Sequence, residues 1–162
     1  GGLCRYGWTV IAQAKACNNY CQPESYNPFC SVIVLGMDPI NLIYAAIGTE
    51  EPYYRLVEHF YTGVWADPVL RPIYPDDLAE AKRKLALYLI YRTGGSPAYE
   101  QERGHPRMRG RHMPFKIGIK ERDAWMANMN AALDKTPEFA PHRADLNAFF
   151  EHFATFMINQ PA

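Results

Sequence analysis

The sequence lacks an excess of charge of either sign, with 17 Lys and Arg residues against 17 Asp and Glu residues in 162. This balance gives no reason to expect nucleic acid or an anionic membrane as the main partner. The sequence also lacks an apolar run of the roughly 20 residues that span a bilayer. It has no Gly-rich phosphate loop, no internal repeat and no segment that alternates as a strand does. Hydrophobic residues make up 48% of the chain, which is typical of a globular protein.

Cysteine is absent after residue 30, and the four cysteines are Cys4, Cys17, Cys21 and Cys30. Their spacing does not match the paired Cys-x-x-Cys of common zinc sites, and two disulfides in any of three pairings are conceivable. Charge is sparse up to residue 36, and the apolar runs there are too short for a signal peptide. We therefore expect a loosely structured or foreign N-terminal extension over residues 1–36 and one domain over residues 37–162.

From Met37 onward, apolar residues recur at helical spacing, and Gly and Pro punctuate the segments. Thr49 is a plausible N-cap for the second helix, and Asp67-Pro68 ends that helix. Residues 95–107 are expected to be irregular. The predicted helices cover residues 41–47, about 50–66, 77–92, 107–112, 120–133 and 142–158. The pattern predicts an all-α fold.

A basic segment from Arg103 to Trp125 carries the strongest chemical signal. His112 lies in it, two residues before Pro114, so it is expected in the last turn of a short helix. A neutral imidazole suits a transition metal, and the neighbouring arginines suit carboxylates. Together they describe a haem with its propionates. For an isolated histidine, a surface position in a basic loop would be the simpler interpretation.

Five stretches, in this order and spacing, resemble the group II truncated haemoglobins over roughly residues 40–160. They are Phe60-Tyr61, Asp67–Pro75, Gly94-Gly95, Arg103–Phe115 and Glu121–Trp125.

The resemblance implies an all-α, two-over-two helical sandwich around haem b. His112 would be the proximal iron ligand, with its second N–H bonded to a backbone carbonyl near Met108. Tyr61, Tyr74 and Trp125 would line the distal side. The other expected haem contacts are Phe60, Leu78, Ala81, Lys84, Leu85, Tyr99, Arg103, Met108, Arg111, Phe115 and Met129.

Oxygen on ferrous iron has partial superoxide character, so two hydroxyls and an indole N–H would hold it tightly. The expected function is high-affinity binding of oxygen, and also of NO, CO or sulfide, in a cytoplasmic monomer or homodimer. A first alternative is a haem redox enzyme, a peroxidase or NO dioxygenase that needs a reductase partner. A second alternative is a haem-free helical interaction module, which would take up no stoichiometric haem. No nucleic acid or membrane partner is expected.

Overall fold

The computed structural model describes residues 38–161, and the fold below is that of this segment. The predicted extension over residues 1–36 and its cysteines lie outside it. Short 3-10 turns cover Pro39–Leu42, Arg71–Ile73 and Pro137–His142. Within this segment there is no strand, and the helices are α1 Ile43–Ile47, α2 Glu51–Ala66, α3 Ala79–Arg92, α4 Ala98–Arg103, α5 Met108–His112, α6 Ile119–Asp134 and α7 Arg143–Phe156. None of these helices is long and apolar enough to cross a membrane.

Helix α2 buries one continuous face and ends where the sequence predicted. Leu56, Phe60 and Val64 are almost completely buried along that face. The helix stops at Ala66 because Asp67 turns the chain, its carboxylate accepting hydrogen bonds from the next backbone amides at 2.8 and 3.2 Å. The predicted N-cap Thr49 is wrong, because α2 begins at Glu51 and Glu50 takes the cap position without a side-chain bond.

The start of α3 and the stretch after α3 also differ from the prediction. Helix α3 begins at Ala79 rather than residue 77, because the Asp77 carboxylate accepts from the Ala79 amide at 2.9 Å and shapes a turn first. The stretch predicted as irregular contains α4, which begins directly after Pro97. Proline is well tolerated where a helix starts, and the pattern was too short to reveal the single helical turn that follows.

The core lies where α2 packs against α3 and α6, and where α6 packs against α7. Phe60, Met129 and Phe150 are among its fully enclosed side chains, and each such burial contributes roughly 1.5–3 kcal/mol. Asn128 of α6 donates to the Asp67 carboxylate at 2.6 Å and to the Ala124 carbonyl at 2.9 Å. The hydrogen bond between Asn128 and Asp67 joins α6 to the end of α2, where the loop towards Tyr74 begins.

Helix α5 has only five residues, so it depends on contacts from outside itself. It is preceded by Arg107, whose φ of 43° is the one positive non-glycine φ among the described residues. The Arg111 guanidinium closes this turn by donating to the carbonyls of Pro106 at 2.7 Å and Arg103 at 2.9 Å. The side chain of Arg109 donates to the Phe156 carbonyl at the end of α7.

Candidate functional site

A cavity of about 380 Å³ is lined by side chains from α2, α3, α4, α5, α6 and α7 and from the loops before α3 and after α5. Its size is within the range of small-molecule and cofactor pockets. The wall is mostly apolar, and the polar groups in it are few and specific. The cavity therefore offers a place for a largely apolar group with polar substituents.

The imidazole of His112 lines this cavity, and its orientation is fixed by one hydrogen bond. Its Nδ1 lies 2.7 Å from the backbone carbonyl oxygen of Met108, one turn earlier in α5. A carbonyl oxygen only accepts, so Nδ1 carries the hydrogen and Nε2 keeps its lone pair. The expected acceptor near Met108 is therefore present. The ring also packs edge-on against Phe153, with centroids 6.4 Å apart.

His112 has no companion metal ligands among the residues that the structure describes. Among residues 38–161, no three His, Cys, Asp or Glu side chains come together as a metal site would require. A metal bound here by one imidazole would need its remaining ligands from a cofactor, and a porphyrin supplies four nitrogens. The lone imidazole and the apolar wall thus fit a haem better than a metal held by the protein alone.

Three polar-tipped aromatics lie together in the same cavity wall. Tyr61 comes from α2, Tyr74 from the loop after it and Trp125 from α6. The two tyrosine rings meet edge to face with centroids 5.6 Å apart, and Trp125 packs against Phe60 at 5.4 Å. The loop position of Tyr74 is fixed because Arg71 donates to its carbonyl at 2.8 Å. Three side chains that can each donate a hydrogen bond therefore converge on one apolar cavity.

Burial keeps both tyrosines protonated. It raises the pKa of Tyr74 to about 12, although a hydrogen-bonding interaction with Trp125 works in the opposite direction. Burial also raises the pKa of Tyr61 well above its usual range, and the neighbouring Tyr74 adds to this shift. A phenol with a raised pKa stays neutral at physiological pH and can act as a donor.

The predicted cations at the cavity differ in their engagement. Lys84 pairs with Glu80 one turn earlier, at 3.4 Å. Two nitrogens of Arg111 donate hydrogen bonds to backbone carbonyls, and these bonds stabilise the turn before α5. Arg103 also lies in the wall. Each of these three cations lies in the cavity wall and could form an ion pair with a carboxylate of a bound group.

Most of the residues predicted from the sequence meet in the cavity wall. They are His112, Tyr61, Tyr74, Trp125, Phe60, Ala81, Lys84, Leu85, Tyr99, Arg103, Met108, Arg111 and Phe115. Two others lie outside this wall. Leu78 precedes α3 and lines a smaller cavity that Tyr61 also lines, and Met129 is fully enclosed in the core, one turn beyond Trp125.

Sequence reasoning missed several wall residues, namely Leu70, Ile73, Pro75, Tyr88, Ile117, Glu121, Arg122, Phe153, Ala154 and Met157. Some carried a usable signal. Phe153 and Met157 lie on the apolar stripe of the last helix, and Arg122 lies one turn before Trp125 on α6. Ile117 carried none, because its place in the wall depends on the course of a loop.

The chain matches the family described as bacterial-like globin over residues 42–159. It is similar to the group 2 truncated hemoglobin YjbI of Bacillus subtilis (strain 168), with 42% identity over 120 residues. That match covers 74% of this chain and 90% of the relative.

Two solved structures are similar in both fold and sequence. The hemoglobin of the thermophilic phototroph Chloroflexus aurantiacus matches with a TM-score of 0.70 and 44% identity, over 73% of this chain and 98% of that one. The truncated oxygen-avid haemoglobin of Bacillus subtilis matches with a TM-score of 0.69 and 40% identity, over 72% and 98%. The predicted all-α, two-over-two globin fold is confirmed, and the chain belongs to the bacterial-like globins, haem proteins, as a group II truncated haemoglobin.

Proposed function

We propose that this globin binds haem b through His112 and holds dioxygen with high affinity through Tyr61, Tyr74 and Trp125. The observation that carries the proposal is the 2.7 Å contact between His112 Nδ1 and the Met108 carbonyl. This contact fixes the tautomer that leaves Nε2 able to bind iron. The imidazole lines the same cavity as the three aromatic donors.

The three aromatics supply donors to a ligand that gains negative charge. When bound, haem gives dioxygen an iron atom at which it takes on partial superoxide character. Hydrogen bonds to charged acceptors are worth about 1.5–3 kcal/mol each, and 1.4 kcal/mol corresponds to a factor of ten in affinity. Two such bonds would therefore slow ligand release by orders of magnitude. This favours trapping or redox use of the ligand over rapid delivery.

The propionates would be bound at the rim by Arg103, Arg111 and Lys84. Each of these side chains lies in the cavity wall, and each retains donors beyond its present bonds. The oxygen-avid behaviour named for the Bacillus subtilis neighbour agrees with the proposed affinity. Other small ligands, NO, CO and sulfide, would compete for the same iron.

The test is the visible spectrum of the full chain titrated with haem, first ferric, then reduced, then exposed to air. We expect uptake of one haem per chain and an oxygen complex that persists in air. Haem uptake with immediate oxidation in air would contradict the high oxygen affinity and favour the redox enzyme. Loose, non-stoichiometric uptake would contradict the role of His112 itself.

A further inference from the structure

Four large apolar side chains are exposed on chain segments that hydrogen bonds join next to His112. Met113 is 56% exposed, Phe115 42%, Ile119 48% and Phe156 53%. They come from the loop after α5, the start of α6 and the end of α7. An apolar cluster of this kind on a protein surface marks an interaction site more often than chance. We call these four residues, with the cations described next, the basic-apolar face.

The same segments and the neighbouring α5 carry four cations, Arg107, Arg109, Lys116 and Lys120, and all four are exposed. None of them forms a salt bridge with any residue in the described segment, whereas most other Lys and Arg side chains there do. No Asp or Glu occurs from Arg103 to Lys120. The chain has no net charge, so this face is a local concentration of positive charge.

The basic-apolar face is a preformed surface, because hydrogen bonds join its segments. The Asn159 amide accepts from the Ile117 amide at 3.1 Å, and the backbone of Asn159 donates to the Ile117 carbonyl at 2.9 Å. Arg109 lies over the Phe156 ring, 5.1 Å from its centroid. A surface fixed in this way loses little conformational entropy when it binds a partner.

We infer that the basic-apolar face docks an acidic protein that delivers electrons to the haem. An apolar centre within a charged rim is the usual anatomy of a protein–protein interface. A second copy of this chain does not suit the face, because a two-fold interface would bring the same cations together. A lipid surface suits it less, because the five residues of α5 are too few for an interfacial helix.

The position of the face explains why its partner would carry electrons. Phe115 belongs both to the face and to the cavity wall, and the loop that carries it follows His112 directly. A partner docked there would stand next to the proximal side of the haem, if the proposed function holds. The donor protein would lose one electron and the ferric haem would gain it, with no bond made or broken.

The test uses reduced plant-type [2Fe–2S] ferredoxin, an acidic one-electron donor, as the probe. Ferric, haem-loaded full chain is mixed with it anaerobically, and the reduction rate is followed at increasing NaCl. We expect the rate to fall steeply with salt and to fall about tenfold further in Lys120→Glu. Glutamate is compatible with the first turn of α6, so the fold should survive the change.

The matched control is Lys135→Glu, the same charge reversal at the other end of α6, about 22 Å away along the helix. It should leave the ferredoxin rate unchanged, and neither variant should alter reduction by dithionite, which needs no docking face. Equal slowing in both variants, or no slowing in either, would overturn the proposal.

A second readout does not depend on haem. Carbodiimide joins touching carboxylates and lysines, so we expect ferredoxin to cross-link at Lys116 and Lys120 and not at Lys135, with or without haem in the chain. A chain that takes up no haem would refute the proposed function. The cross-links would still show whether the acidic protein docks on the basic-apolar face. Absence of these cross-links would overturn the inference. Sedimentation of the chain with phosphatidylglycerol vesicles would then assign the face to a lipid surface.

Discussion

The side-chain amide of Asn159 donates to the carbonyl oxygen of His112 at 3.2 Å, although 47 residues separate them in the chain. The same nitrogen donates to the Phe115 carbonyl at 2.8 Å, and the amide oxygen accepts from Ile117 at 3.1 Å. Helix α5 is too short to hold its own conformation. The segment after α7 therefore fixes the backbone on which the proposed iron ligand stands.

Replacing Asn159 by Asp tests this bracing directly. The carboxylate keeps the acceptor for Ile117 but loses both donors, and it faces the carbonyls of His112 and Phe115. Two lost hydrogen bonds of about 0.5–1.5 kcal/mol each should speed haem loss roughly tenfold. Haem transfer to apomyoglobin measures the rate, and a shift of the iron–histidine stretching band would show that the ligand has moved.

The control for this change is Asn130→Asp, which makes the same replacement on α6, away from Asn159. The Asn130 side-chain oxygen accepts from Arg143 at 3.3 Å, a bond that a carboxylate keeps, and Asn130 does not line the cavity. Haem loss in this variant should match the unchanged protein. Equal acceleration in both variants would mean that charge, and not the lost bracing, causes the effect.

His112→Ala should abolish tight haem retention, because it removes the one imidazole of the cavity. Added imidazole should restore part of the haem spectrum by taking the vacated position. His152→Ala is a suitable control, since His152 is exposed on the last helix. Haem titration followed by gel filtration measures retention. A normal spectrum and normal haem content in His112→Ala would refute the proximal assignment.

Trp125→Phe should speed oxygen release about tenfold. The change deletes the indole N–H but keeps an aromatic ring against Phe60 and Phe150, which lie 5.4 and 5.6 Å away between centroids. One hydrogen bond to a charged acceptor accounts for a factor of that size. Stopped-flow displacement of oxygen by CO measures the rate. Trp65→Phe, at an exposed tryptophan, should leave it unchanged, and an unchanged rate in Trp125→Phe would remove that residue from ligand binding.

Helical periodicity predicted the helices that carry the site because each long helix buries one stripe. In α2, the stripe of Leu56, Phe60 and Val64 appears as regular spacing in the sequence. Helix α4 was missed since its six residues complete fewer than two turns and leave no period to detect. Thr49 was predicted as the N-cap from its residue type alone. The turn after Gly48 extends through Thr49, so Glu50 occupies the N-cap position instead.

The chemical residues of the site were easier to predict than its walls. His112 and the three polar aromatics could be named because their motifs are specific. Met129 is separated from Trp125 by one helical turn, and sequence does not tell which of the two faces the cavity and which faces the core. The hydrogen bonds made by Asn159 could not be predicted from the sequence, because they join residues that lie more than 40 positions apart in the chain.

Ionisation of Tyr74 should make the folded protein less stable above pH 10. Its pKa is raised from the ordinary value of 10 to about 12, chiefly by burial. The folded state therefore holds this proton more tightly, and the stability is fully present below pH 10 and is lost as pH rises towards 12. Tyr74→Phe should remove a loss of stability on the order of 1 kcal/mol at pH 11. Urea unfolding at pH 8 and pH 11 measures it, and parallel losses in both proteins would contradict the assignment.

Adding one methyl group at Gly63 and at Gly110 should have opposite effects on stability. A Cβ at Gly63 would lie 2.2 Å from the Asn128 side-chain oxygen, and Asn128 is held in place by Asp67, so α2 and α6 must separate. Gly63→Ala should therefore cost about 1–3 kcal/mol. A Cβ at Gly110 meets nothing within 4 Å, so Gly110→Ala should stabilise α5 by about 0.5–1 kcal/mol. Urea unfolding measures both changes. An unchanged or raised stability of Gly63→Ala would contradict the close packing of α2 on α6, and destabilisation of Gly110→Ala would contradict the open space at Gly110.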